Sequence, residues 1–200
     1  MTPIKTRLVI SLLGIGLLLG ADKAPQPQKD PQASYEPRSS PGAGQKFLEK
    51  LVGDWDVQKT FYPRSGDPFR VKGECRQTMI HEGRFLKSEF VFHANGTKTT
   101  GLGLIGFEVQ SGTFTSVWTD SRSTRMSLRQ SQGRFDGKEI VLLSRSLQED
   151  AKGPPRSRTV TRLEEDGRKI VHRQYNRGSD GKERLIMELL MTRKASRRAN

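Results

Sequence analysis

Trp118-Thr119-Asp120-Ser121 is the stretch of this chain whose residue types and spacing come nearest to chemistry. On a strand, residues two apart share a face, so the Asp120 carboxylate and the Trp118 indole point the same way. Inside a fold such a carboxylate needs a partner, because an unpaired buried charge is expensive. Arg125, across the following loop, and Arg84 are the candidate partners. Two roles are open for Asp120: a structural ion pair at a rim, or the polar anchor of a mostly apolar ligand cavity. An enzyme would use the same group, with Asp120 as acid or base and Arg84 or Arg125 orienting the substrate.

The remaining reactive side chains offer less. His81, His93 and His172 do not stand at metal-ligand spacing with each other or with Cys75, so no metal site is expected. His93 flanks a hairpin tip and faces out. His172 is expected to face the interior of the ninth strand, either as a hydrogen-bonded core histidine or, alternatively, as a haem ligand. Cys75 shares a face with Val71 and Met79 and reads as a small buried hydrophobe; as the single cysteine it has no disulfide partner within the chain. No Ser/His/Asp set, acid/base pair or phosphate loop stands out, so catalysis has no positive support. Gly101-x-Gly103-x-x-Gly106 matches the letters of a dinucleotide fingerprint, but a hairpin follows where a helix N-terminus would have to hold the pyrophosphate. Gly101 and Gly103 are instead expected to face the interior, where absent side chains admit Phe90 and Trp118 or leave a void.

These residues need elements to hold them. From Gly53 onward, period-two runs alternate with turn signals at short intervals, which places strands near 54–62, 69–80, 84–93, 97–109, 113–120, 124–132, 138–147, 156–164, 168–176 and 182–193. Ten such runs with no helical period between them predict an all-β, antiparallel up-and-down barrel. A short amphipathic run (Phe47, Leu48, Leu51) precedes them as a helix capping one end, Gly53 gives a tight bend, and Trp55 plugs the floor. Asn95-Gly96 is a two-residue hairpin signal that pairs Phe92 with Thr99, Phe90 with Gly101, Ser88 with Gly103 and Leu86 with Ile105. Ser111-Gly112, treated the same way, sets Ile105 opposite Trp118 and Gly103 opposite Asp120. Asp166-Gly167 pairs Leu163 with Ile170, Thr161 with His172 and Thr159 with Gln174. In the last strand Leu185, Met187, Leu189 and Met191 alternate inward.

Composition and flanks bound the rest. Residues 1–21 carry Lys5 and Arg7, then an apolar run from Leu8 to Gly20, the anatomy of a cleaved export signal. Residues 22–45 are rich in Pro, Gln, Ser and Gly and are expected to form a disordered linker. The barrel domain covers 46–194, and 195–200 is a basic tail. A formal net charge of +13, from 35 basic and 22 acidic residues, is spread as a solvated surface. Arg158, Arg162, Lys169 and Arg173 form a basic outer stripe that could meet an anionic polymer or membrane. Aromatic side chains do not interleave with it, so nucleic acid is not an expected partner.

Leu51-x-Gly53-x-Trp55, Gly83-Arg84-Phe85-Leu86, Gly101-x-Gly103-x-x-Gly106-Phe107, Trp118-x-Asp120-Ser121, Arg158-Thr159-Val160-Thr161 and the closing Asp180 to Lys194 segment together resemble the bacterial family called domain of unknown function 1579. The Gly-x-Trp opening is similar to that of lipocalin-like barrels, which implies a calycin-type fold and a ligand-holding interior. The expectation is an exported, periplasmic or secreted barrel that binds a small, largely apolar molecule. Phe90, Gly101, Gly103, Trp118, Asp120, His172 and Met187 would line the lumen, with Ser88, Arg84 and Arg125 as polar partners and no cofactor required.

Overall fold

A computed structural model describes residues 30–145 and 157–195; the expected signal, the first part of the linker and the end of the basic tail lie outside these. Residues 30–38 form a small unit of turns, in which Arg38 pairs with Asp30 at 3.2 Å. The rest is one barrel. Helix α1 (Ala43–Glu49) leads into β1 (Gly53–Phe61), β2 (Phe69–Ile80), β3 (Phe85–Ala94), β4 (Thr97–Glu108), β5 (Thr113–Asp120), β6 (Ser127–Gln130), β7 (Glu139–Arg145), β8 (Ser157–Glu164), β9 (Lys169–Arg177) and β10 (Glu183–Arg193). Each strand pairs antiparallel with the next, and β10 returns to β1, so the sheet closes with no free edge.

The hairpin at Asn95-Gly96 has the expected register, and both residues take positive φ, 48° and 73°. The Asp166-Gly167 hairpin also pairs as expected, Thr161 with His172. Two registers differ from expectation. Between β4 and β5 the loop spans four residues, closed by the Gly112 N–H donating to the Glu108 carbonyl at 2.8 Å. The pairing therefore moves by two, setting Gly101 opposite Asp120, Gly103 opposite Trp118 and Phe107 opposite Phe114. A shift of two keeps every side chain on its predicted face but moves Asp120 toward the rim. In β10 a bulge falls between Leu185 and Met187. Leu185 then pairs with Tyr175 on the outer face, and Ile186 reaches the interior in its place.

One end of the barrel is filled. Phe47, Leu48 and Leu51 from the helical segment are buried beside Trp55, which is fully buried. Phe114 sits within 5.0 Å of the Phe135 ring and 4.8 Å of Phe107, and Phe47 meets Phe135 at 5.1 Å. Gln45 donates to the Phe107 carbonyl at 2.9 Å, tying the helix to β4. Arg193, at the end of β10, lies over the Trp55 ring at 4.2 Å and donates to the carbonyls of Lys50, Val52 and Gly167. Gly53 leaves room for it: φ there is +141°, and a Cβ would lie 2.5 Å from Arg193 Nη1. We predict that Arg193→Met lowers stability by roughly 2–4 kcal/mol, since it strips charged donors from several carbonyls at once. Arg193→Lys should fail to restore it, because an ammonium cannot span three acceptors as the guanidinium fork does. Denaturant unfolding of both variants checks this.

Candidate functional site

Beyond the aromatic plug the lumen is open. Lumen-facing positions in its upper half are small or short, among them Gly103, Ser88, Ser116, Ser127, Thr159 and Thr161, and a cavity of about 440 Å³ remains. That lies within the range of small-molecule sites, roughly 300–1,000 Å³. Its walls are apolar over most of their area: Leu86, Phe90, Phe92, Ile140, Leu142, Met187 and Leu189. Phe90 stacks with Phe92 at 5.8 Å and meets the Trp118 ring edge to face at 5.5 Å.

The expected lumen residues Phe90, Gly103, Trp118, Asp120, His172, Met187 and Ser88 all border this cavity. Gly101 does not, because Trp118 lies across it so closely that a Cβ would overlap the indole. The glycine is what lets the indole lie flat against the wall. Gly103 has ordinary contacts only, with Trp118 at 3.4 Å and Ser88 at 3.6 Å from a would-be Cβ.

Asp120 is anchored differently from expectation. Its carboxylate accepts from Trp118 Nε1 at 3.0 Å and from the Arg122 backbone N–H at 2.9 Å. Partial burial raises its pKa, but these bonds and the charge of Lys59 outweigh that and hold it below the usual carboxylate range. Neither expected arginine pairs with it. Arg84 sits on the β2–β3 turn, where it pairs with Glu82 at 2.9 Å and donates to the carbonyls of His81 and Ser39. The adjoining Phe85 pairs with Gly106, five residues along β4 from the partner of Asp120, or about 16 Å. Arg125 does not border the cavity. Ser88, expected beside Asp120, instead accepts from Gln77 Nε2 at 2.9 Å.

Two cations escaped the sequence reading and both border the cavity. Lys59 lies over the rings of Phe61 and Phe92, at 4.7 and 4.8 Å, and burial pushes its pKa down against the opposing pull of Asp120. Arg129, opposite Ser116, is held among partly buried residues of β6, and burial lowers its pKa also. Its Nε is out of contact with water and has no hydrogen-bond partner; Gln77 Oε1 shares that condition. The alternation Trp55, Val57, Lys59, Phe61 carried the signal for Lys59. Arg129 had none, because its facing depends on the length of the loop before it.

His172 pairs across β8 with Thr161, whose Oγ1 lies 2.8 Å from Nδ1. Burial, with the charges of Arg129 and Lys59, pushes its pKa down to about 4, so the ring is neutral at pH 7. Cys75 is buried against β3, and burial pushes its thiol well above the ordinary range, as an inert core residue requires. Among the described residues no His/Cys/Asp/Glu group has metal-binding geometry. The outer stripe is neutralised by acids of neighbouring elements: Arg158 with Glu183 at 2.6 Å, Arg173 with Glu188 at 2.7 Å, Lys169 with Glu165 at 3.3 Å, and Arg162 with Glu139.

A closed ten-stranded antiparallel barrel, plugged at one end by a helix and a tryptophan, is a lipocalin-like barrel. The chain belongs to the DUF1579 family, described as a protein of unknown function, which it matches over residues 40–193. Two similar solved structures are Rv2717c from M. tuberculosis and the S-type phycobiliprotein lyase CPES from Guillardia theta. The first is 17% identical with a TM-score of 0.56, covering 78% of this chain and 100% of its own. The second is 11% identical with a TM-score of 0.50, covering 77% of this chain and 94% of its own. At these identities they establish shared architecture alone. The sequence matches no curated protein.

The histidine makes a pH prediction. The unfolded chain takes up a proton near 6.5, the folded one only near 4, so stability is full above about pH 7 and falls as pH drops through that window. The loss is roughly 3 kcal/mol at most. His172→Gln should flatten the decline between pH 6.5 and 4, and thermal unfolding across that range measures it. A wild-type curve with no slope there would contradict a neutral His172.

Proposed function

We propose that this protein is an exported binding protein that holds a small, largely apolar molecule in the barrel lumen. The observation that carries the reading is the unfilled half of the barrel. Interiors normally pack to the density of organic crystals, and empty space of about 440 Å³ in an otherwise closed sheet is stability forgone. The cavity wall is apolar with a few placed polar groups, the usual composition of a small-molecule site. The name of one similar barrel, a phycobiliprotein lyase, is compatible with a working lumen. Export rests on the signal-like residues 1–21.

The geometry favours binding over catalysis. Both Asp120 oxygens accept hydrogen bonds and the group stays ionised, whereas a general acid or base at neutral pH needs a pKa moved toward 7. The arginine stripe, with its charges paired, is a solvated surface more readily than a dock for polyanions.

Native mass spectrometry of the protein purified from its own host should show a retained small molecule. Gly103→Leu, whose Cβ would meet Trp118 and Ser88 at ordinary contact distance on the cavity wall, should unfold like the wild type yet lose the bound mass or weaken its retention at least roughly tenfold. Undiminished retention in that variant would sink the lumen as the binding site.

A further inference from the structure

We infer that the ligand of this barrel is a carboxylate-bearing amphiphile whose head group is received inside the lumen by the guanidinium of Arg129, with Lys59 as a second cation toward the mouth. The inference rests on the lumen-binding reading above and adds the chemistry of the ligand.

The charges bordering the cavity do not balance. Lys59 and Arg129 are cationic, Asp120 is the one carboxylate among the described lining residues, and His172 is neutral at pH 7. Asp120 does not serve Arg129: its oxygens are taken by Trp118 and by the Arg122 backbone, and the cation whose charge it feels is Lys59. No described side chain forms an ion pair or hydrogen bond with Arg129, and its buried Nε is unpartnered. A guanidinium half-buried against an apolar wall, with its Nε out of contact with water and no counter-charge, is costly, and a protein keeps one where something else supplies the anion.

The shape of the group selects the head. The Nε edge of a guanidinium presents parallel N–H donors, the fork that a planar carboxylate fills with two oxygens. Around it, Ser116 stands opposite Arg129 on β5, a short side chain that leaves the approach clear. The hydrocarbon of the same molecule would then lie along Phe90, Phe92, Leu142 and Leu189, the apolar wall. The influence of both Arg129 and Lys59 on the His172 ring places the two cations around one part of the lumen. A neutral apolar ligand would leave the Arg129 charge stranded. An anion with no hydrocarbon would leave the wall wet.

The test compares two molecules that share a chain and differ in the head, decanoate and 1-decanol, titrated calorimetrically into delipidated wild type, Arg129→Gln and Lys59→Gln at pH 7.5. Wild type should prefer decanoate at least roughly tenfold, as a charge-assisted pair warrants, and Arg129→Gln should abolish that preference. Equal affinity for the two molecules in wild type overturns the head-group inference and leaves lumen binding standing. A preference that survives Arg129→Gln but vanishes in Lys59→Gln overturns the assignment to Arg129. Binding of neither molecule by wild type, with no retained mass from the host, removes the lumen reading together with this one. Thermal unfolding supplies an independent arm. Ligand-free Arg129→Met should melt a few degrees above wild type, because an uncompensated, partly buried charge has been replaced by a hydrophobe, and decanoate should raise the melting temperature of wild type by more than that of the variant. A lower melting temperature for Arg129→Met would show a structural guanidinium and overturn the inference.

Discussion

The barrel depends on the contact between its first and last strands, and Arg193 with Trp55 is where that contact is fixed. A sheet of ten strands closes only if β10 meets β1 in a single register, and here Trp55 pairs directly with Arg193. The guanidinium then covers the indole and collects carbonyls from the α1–β1 connection and the β8–β9 turn, two of these bonds part-buried. Gly53 is the local concession: only a residue without Cβ lets the arginine lie so close. Chain ends that are far apart in sequence become one wall, and the entropy of closing that long loop is met at a single well-satisfied site.

Fixing one end frees the other. With Phe47, Phe107, Phe114, Phe135 and Trp55 packed below, the core has enough aromatic surface to hold the sheet, and the upper lumen need not be filled. Small residues there are permitted by the plug and keep the space open. Trp118 shows the division well. It lies against Gly101 as wall and donates to Asp120 as scaffold for the rim, so one side chain shapes the cavity without occupying it.

Much of this was legible in the sequence, for identifiable reasons. Hairpins with a two-residue turn that demands positive φ, such as Asn95-Gly96, set register by themselves, and the whole inward set of β3 and β4 followed. Ser111-Gly112 misled because the same glycine also closes a four-residue loop; the inward facing survived, since the error was even, but the depth of Asp120 did not. The bulge at Ile186 has no residue signature in a run of Leu, Ile and Met, so an outward position became an inward one unannounced. Lys59 shares the alternation of Trp55, Val57 and Phe61, although lysine is a residue type rarely buried unless paired.

That last point decides how the charge of this protein should be weighed. The surplus of basic residues suggests an anionic surface partner, yet the arginines of the outer stripe are matched by glutamates on adjoining elements and contribute little beyond solubility. Inside, two cations face one carboxylate that is already satisfied. Water screens the first set, while the second set stands half-buried against an apolar wall and is screened less, so each interior charge counts for more than one outside. The informative basic residues are therefore the two that line the lumen.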